Sequence, residues 1–120
     1  MKNKTSSFIV NWHIFPFDVM VCLGTDQEET LKILEKYYLT DEDREHVVMT
    51  GNGKTVMFSG GETLLWLRKY PTPGNGNLAH ECFHAVFFLL DKVGITIDTS
   101  SDELVAYMLG YLSDEIHKKL

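Results

Sequence analysis

The segment that most restricts how this chain can fold is 77–93. It lies between a loop that cannot be regular, Pro71-Thr72-Pro73-Gly74-Asn75-Gly76, and Gly94, a residue suited to the left-handed position that ends a helix. Cys82, Val86, Leu89 and Val93 recur at helical spacing, so the segment reads as a helix with an apolar stripe that the rest of the chain must cover. The opposite side carries His80, Glu81 and His84. Side chains four apart on a helix project from one face, about one turn apart.

Two imidazoles so placed can both reach one Zn²⁺ at about 2.0–2.1 Å. Zinc lowers the pKa of its water toward about 7, and Glu81 can take a proton from that water and return it to a leaving amine. The pattern His-Glu-x-x-His arises by chance in roughly one or two of a hundred shuffled chains of this composition. Its weight therefore comes from its place inside the best-defined helix; a helix with two surface histidines and a glutamate is the alternative.

A zinc site also needs a third protein ligand, and Glu103 is the best placed. Eighteen residues separate it from His84, enough for one helix to finish, the chain to turn and a second helix to return. Asp102 and Asp98 are the other carboxylates in reach. Glu103 has a structural reading as well, because Ser100-x-x-Glu103 matches a capping box. Tyr107, one turn further, can donate to a developing oxyanion or simply pack. Asp91 shares the histidine face, as an orienting partner or a solvated residue. Small residues at Ala106 and Gly110 would let the last helix approach the first closely. His13, His46 and His117 have no ligand spacing to one another.

The remaining segments predict a single α+β domain over 1–120 with a small mixed or antiparallel sheet. Residues 17–23, ending at Gly24, read as a buried strand. Thr25 or Asp26 caps a helix through about Tyr38. His46–Thr50 and Lys54–Ser59 around Gly51-Asn52-Gly53 read as a hairpin, and Thr63–Tyr70 as a further strand. A last helix runs from Ser101 to about Lys118, after an extended piece at Ile95–Asp98. Either strand 54–59 or 63–69 would form the rim of a cleft, where an extended peptide can pair with free backbone groups. Phe87 and Phe88 lie near enough to line it.

Eleven Lys and Arg against seventeen Asp and Glu leave −6, which argues against binding nucleic acid through phosphate attraction. Lys2 and Lys4 precede an apolar stretch from Phe8, but Asn11, His13, Pro16 and Asp18 interrupt it. It reads as a strand region rather than a signal peptide or membrane span. Cys22 and Cys82 sit in apolar contexts that suit buried free thiols in a reducing compartment. The expectation is a cytoplasmic protein.

His80-Glu81-Cys82-Phe83-His84 followed by Glu103 resembles the gluzincin branch of the zincins. Leu64-Leu65-Trp66-Leu67, the run Asp102 to Leu112 and Pro16-Phe17-Asp18-Val19 are together similar to small zincin-like proteins encoded by phages and prophages. The resemblance implies a minimal zincin fold, with a sheet packed on an active-site helix and a C-terminal helix. It further implies His80, His84 and Glu103 as zinc ligands, Glu81 as general base, a fourth position open to water, and host cytoplasm as the compartment. The substrate class it implies is a peptide or protein. No substantial second domain walls the cleft, so a shallow groove for an extended chain is expected. A metal-binding module with little or no turnover, acting on a protein partner, is the competing expectation.

Overall fold

The computed structural model describes residues 4–120; Lys2 lies outside them. Two strands without polar interruption form the centre of the sheet, β2 (Asp18–Leu23) and β4 (Thr63–Leu67). They pair in parallel, Val21 opposite Leu65. The outer strands are antiparallel to them: β1 (Ser6–Asn11) on β2 and β3 (Gly53–Met57) on β4, giving the order β1-β2-β4-β3. Because side chains alternate along a strand, each central strand feeds two cores. Val19, Val21, Leu23, Leu65 and Leu67 face helices α3 (Asn77–Lys92) and α4 (Asp102–His117). Met20, Cys22, Leu64 and Trp66 face Leu34 of α1 (Gln27–Leu34) and the segment after it. The result is a compact mixed α+β fold, with the four-stranded mixed sheet between helices.

α3 forms as its sequence requires. Cys82, Ala85, Val86 and Leu89 are buried against the sheet, and Gly94 takes φ +81° just past the end. The Ile95 N–H then reaches back to the Leu90 carbonyl and closes the cap. Asp26 caps α1 reciprocally with Glu29, but that helix stops at Leu34 instead of Tyr38. The Glu35 N–H bonds only three residues back, and Tyr38 is left in solvent with no apolar surface to hold another turn.

The hairpin predicted across Gly51-Asn52-Gly53 does not form. Thr40 and Asp43 build a capping box that starts a short helix, α2 (Asp41–Glu45), just before it. The Gln27 side chain of α1 then donates to the Val47 carbonyl and accepts from the Met49 N–H. That pins 47–49 to α1 and takes its backbone away from the sheet. The partner of β3 is β4, and the connecting turn runs from Phe58 to Glu62 through Gly60-Gly61. β4 is paired on both sides, so 63–69 is excluded as the cleft rim and β3 alone of the two has a free edge. Ile95–Asp98 forms no strand. Among the described residues, no helix is long and apolar enough to cross a membrane.

Candidate metal centre

The second and third turns of α3 carry the histidines on its outer face. His84 Nε2 and His80 Nε2 stand 3.2 Å apart with the rings roughly perpendicular. Two zinc–nitrogen bonds of about 2.05 Å at a tetrahedral angle span about 3.3 Å between the nitrogens. The separation is close to that span, and it is equally that of a hydrogen bond between the two rings. Phe88 lies nearly parallel to the His84 ring at 6.0 Å, and Phe83 meets its edge at 6.2 Å, so aromatic contacts hold the ring on both sides.

Glu81 points to the opposite flank of the pair, toward β3, and is only 6% exposed. The Thr55 hydroxyl lies 2.8 Å from Glu81 Oε1 and 3.1 Å from the Glu81 backbone carbonyl. A buried carboxylate without such a donor would carry a large desolvation cost. Its other oxygen, Oε2, stands 3.9 Å from His80 Nε2. Cys82, next along the helix, turns into the core as the amphipathic split predicts. Burial pushes its thiol up to about 12, and the neighbouring Glu81 adds to the shift.

The third ligand is where expectation and structure part. Among the described residues, no group of three or more His, Cys, Asp or Glu side chains stands together as a metal site. His80 and His84 meet; Glu103, Asp102 and Asp98 do not join them. α3 continues eight residues past His84 to Lys92, about 12 Å of helix, and Glu103 is the second residue of α4 after the return. Glu103 is not held by a capping box either, since the N-cap is Ser101 and its side chain makes no capping bond. Asp98 is engaged locally: the Ser100 hydroxyl and N–H bond its carboxylate and lower its pKa.

Other expectations on α4 also change. Tyr107 is 74% exposed, which excludes core packing. Ala106 and Gly110 face solvent, and a Cβ at Gly110 would meet nothing within 4 Å, so they do not serve a close helix approach. α4 is held instead through Val105, Met108, Leu112 and Ile116. Asp91 is exposed at the far end of α3.

A groove of about 620 Å³ runs along the free edge of β3 beside this centre. Phe88, Asp91 and Lys92 of α3 line one wall, and Thr40, Glu42, Asp43 and His46 the other. The second wall is α2, which the sequence reading missed. Asp43 fastens it by accepting from the Ser59 N–H and hydroxyl at the end of β3. The floor has a defined polarity. Phe58 N–H donates to Glu62 and Arg68 N–H to Asn52 at the two ends of the β3–β4 ladder. Antiparallel residues alternate between bonded and unbonded pairs. In the register Thr55 opposite Leu65, Lys54 and Val56 therefore bond β4, while Gly53, Thr55 and Met57 turn their N–H and C=O groups to the open edge. His80, Glu81 and His84 do not themselves line the groove; they adjoin it through Thr55, which bonds Glu81, and Phe88, which stacks on His84.

Set against family models, curated proteins and solved structures, the chain matches none.

Proposed function

We propose that this chain is a zinc-dependent peptidase that cleaves extended peptides along the free edge of β3. The observation that carries the reading is the 3.2 Å convergence of His80 and His84 Nε2 with the buried Glu81 carboxylate alongside. Zinc, when bound, supplies Lewis-acid polarisation of the carbonyl and brings water's pKa near neutrality. His80 and His84 would hold the ion, and Glu103 is the third ligand that the gluzincin pattern implies. Glu81 accepts the proton of the attacking water and delivers it to the departing amine nitrogen. The outward-facing backbone of Gly53, Thr55 and Met57 aligns the peptide, and Phe88 lies beside the site on the α3 wall. Tyr107, exposed one turn after Glu103, is the candidate oxyanion donor of the same pattern.

A second reading, a metal-binding module that engages a protein partner with little or no turnover, is favoured by one observation: the histidines converge without Glu103. Titration with zinc separates the alternatives at their common root. Protein prepared without chelator should hold about one zinc per chain, and His84→Ala should weaken binding by at least about 100-fold, beyond the usual effect of losing an outer partner. Glu103→Gln should lower affinity by a smaller factor. Absence of zinc binding in the unaltered protein would remove both readings.

A further inference from the structure

β3 carries two features that its own stability does not need. Gly53 is one. Its φ is outside the left-handed region, so backbone freedom does not account for a glycine there. Space does: a Cβ would come within 2.9 Å of Glu81 Oε2, 3.0 Å of Glu81 Cγ and 3.0 Å of Leu67 Cδ2. Thr55 is the other. Its hydroxyl has one proton, shared between Oε1 and the main-chain carbonyl of Glu81, and this ties both the side chain and the helix turn to the strand. One carboxylate oxygen is thereby fixed on β3. The other is left free on the side of His80.

We propose that Thr55 is the positioning residue of the site, fixing the base through its hydroxyl and registering the peptide through its main chain. The inference rests on the peptidase reading. Thr55 belongs to the residues whose N–H and C=O face the open edge, while its side chain points to α3. A peptide strand paired at Thr55 is therefore aligned by the same residue that aims Glu81. A shift of the bound chain by one residue would break the pairing and also turn its alternate side chains to the wrong walls. Base and substrate backbone thus share one reference point. Gly53, two residues away on the same face, leaves the room that Oε2 occupies.

The test uses three variants. Thr55→Val keeps the shape and β-branching but removes the hydroxyl; Thr55→Ser restores it; Gly53→Ala crowds Oε2 while leaving the hydroxyl. Against a peptide selected from a denatured proteome, Thr55→Val should lower kcat by roughly 10- to 100-fold, the usual effect of losing an orienting partner. KM should change little, since the backbone pairing remains, and Thr55→Ser should recover most of kcat. N-methylation of the peptide should raise KM at alternate positions only. A second readout needs neither zinc nor turnover. The ¹³C carboxyl resonance of Glu81, assigned by its loss in Glu81→Gln, should move in Thr55→Val and Gly53→Ala and stay in Thr55→Ser. Unchanged kcat and an unmoved resonance in Thr55→Val would overturn the proposal. If Thr55→Val does not fold, Thr55→Ala decides by the same resonance. No turnover in the unaltered protein, with the resonance moving as stated, would remove the peptidase reading and keep the positioning of Glu81 by Thr55.

Discussion

The two outer strands of one sheet have different surroundings. β1 alternates between core and solvent: Phe8 and Val10 pack toward α3 and α4, while Ile9, on the other face, is 42% exposed. At its far end the Tyr111 hydroxyl of α4 donates to the Asn11 carbonyl. β3 is half-buried at every residue, because α3 packs on one face and Val56 on the other joins the cluster of Leu39 and Val47, which flank α2. Its edge is free yet walled. An exposed strand edge is a liability unless it is blunted or used, and walls on both sides leave room for one more strand and little else. The polar chemistry follows the same division, with Glu81 set against β3 and the only carboxylate on the β1–β2 pair, Asp18, bonded to Asn11.

The largest expected effect tests that division at its centre. Glu81→Gln preserves shape and zinc content but removes the proton acceptor, so turnover should fall by about 10²–10⁴-fold. Asp18→Asn, the matching change at the other edge, should leave turnover within about twofold, because no step uses it. If Glu81→Gln turned over at the original rate, the two edges would be chemically equivalent and the base would have to be sought elsewhere.

What the sequence disclosed follows from how local each signal is. α3, its Gly94 cap, α4 and β2 were readable because periodicity and capping act within a few residues. The approach of His80 and His84 was readable for the same reason, since i and i+4 on a helix fix their own geometry. The false hairpin arose where a local turn signal met a non-local competitor: Gln27, 20 residues away from Val47, claims that backbone first. α2 is different, because its cap, Thr40-x-x-Asp43, is local and stands in the sequence itself. Thr55 and Gly53 could be found only once β3 lay across α3; in sequence they are an ordinary threonine and a turn glycine. Glu103 is a non-local case: spacing alone does not fix where a second helix returns, and among the described residues it does not stand with His80 and His84.

A smaller effect should appear at the wall that distinguishes β3 from β1. Burial alone would raise the Asp43 carboxyl, but the bonds from Ser59 and Thr40 outweigh it and hold it down at about 2, against an ordinary 3.8. The unfolded chain thus takes up this proton at a higher pH than the folded one. The stabilisation is present above about pH 4 and is lost as pH falls from there toward 2. Asp43→Asn at pH 7 should cost about 1–3 kcal/mol, the range for leaving buried partners poorly matched. It should also raise amide exchange in α2. Between pH 4 and 2, its urea midpoint should fall less than that of the unaltered protein. Parallel curves would mean that Asp43 does not fasten the wall.

The smallest effect lies under the sheet, away from both edges. The Tyr37 hydroxyl is buried without a hydrogen-bond partner. Burial, reinforced by the Asp18, Glu62 and Cys22 side chains, pushes its pKa up to about 12 from an ordinary 10. An unmatched buried oxygen costs its desolvation with no return, so Tyr37→Phe should raise stability by about 1 kcal/mol at neutral pH. The high-pH behaviour gives an independent sign. A group whose folded pKa lies above its unfolded one contributes stability below about pH 10 that is lost as pH rises toward 12. Tyr37→Phe should remove that loss, so the gap between variant and original should widen across this window. Zinc binding and the groove should be unaffected, because Tyr37 lines neither. A Tyr37→Phe protein less stable than the original at pH 7 would show that the hydroxyl has a partner, and that the α1 face is polar where it is taken to be dry.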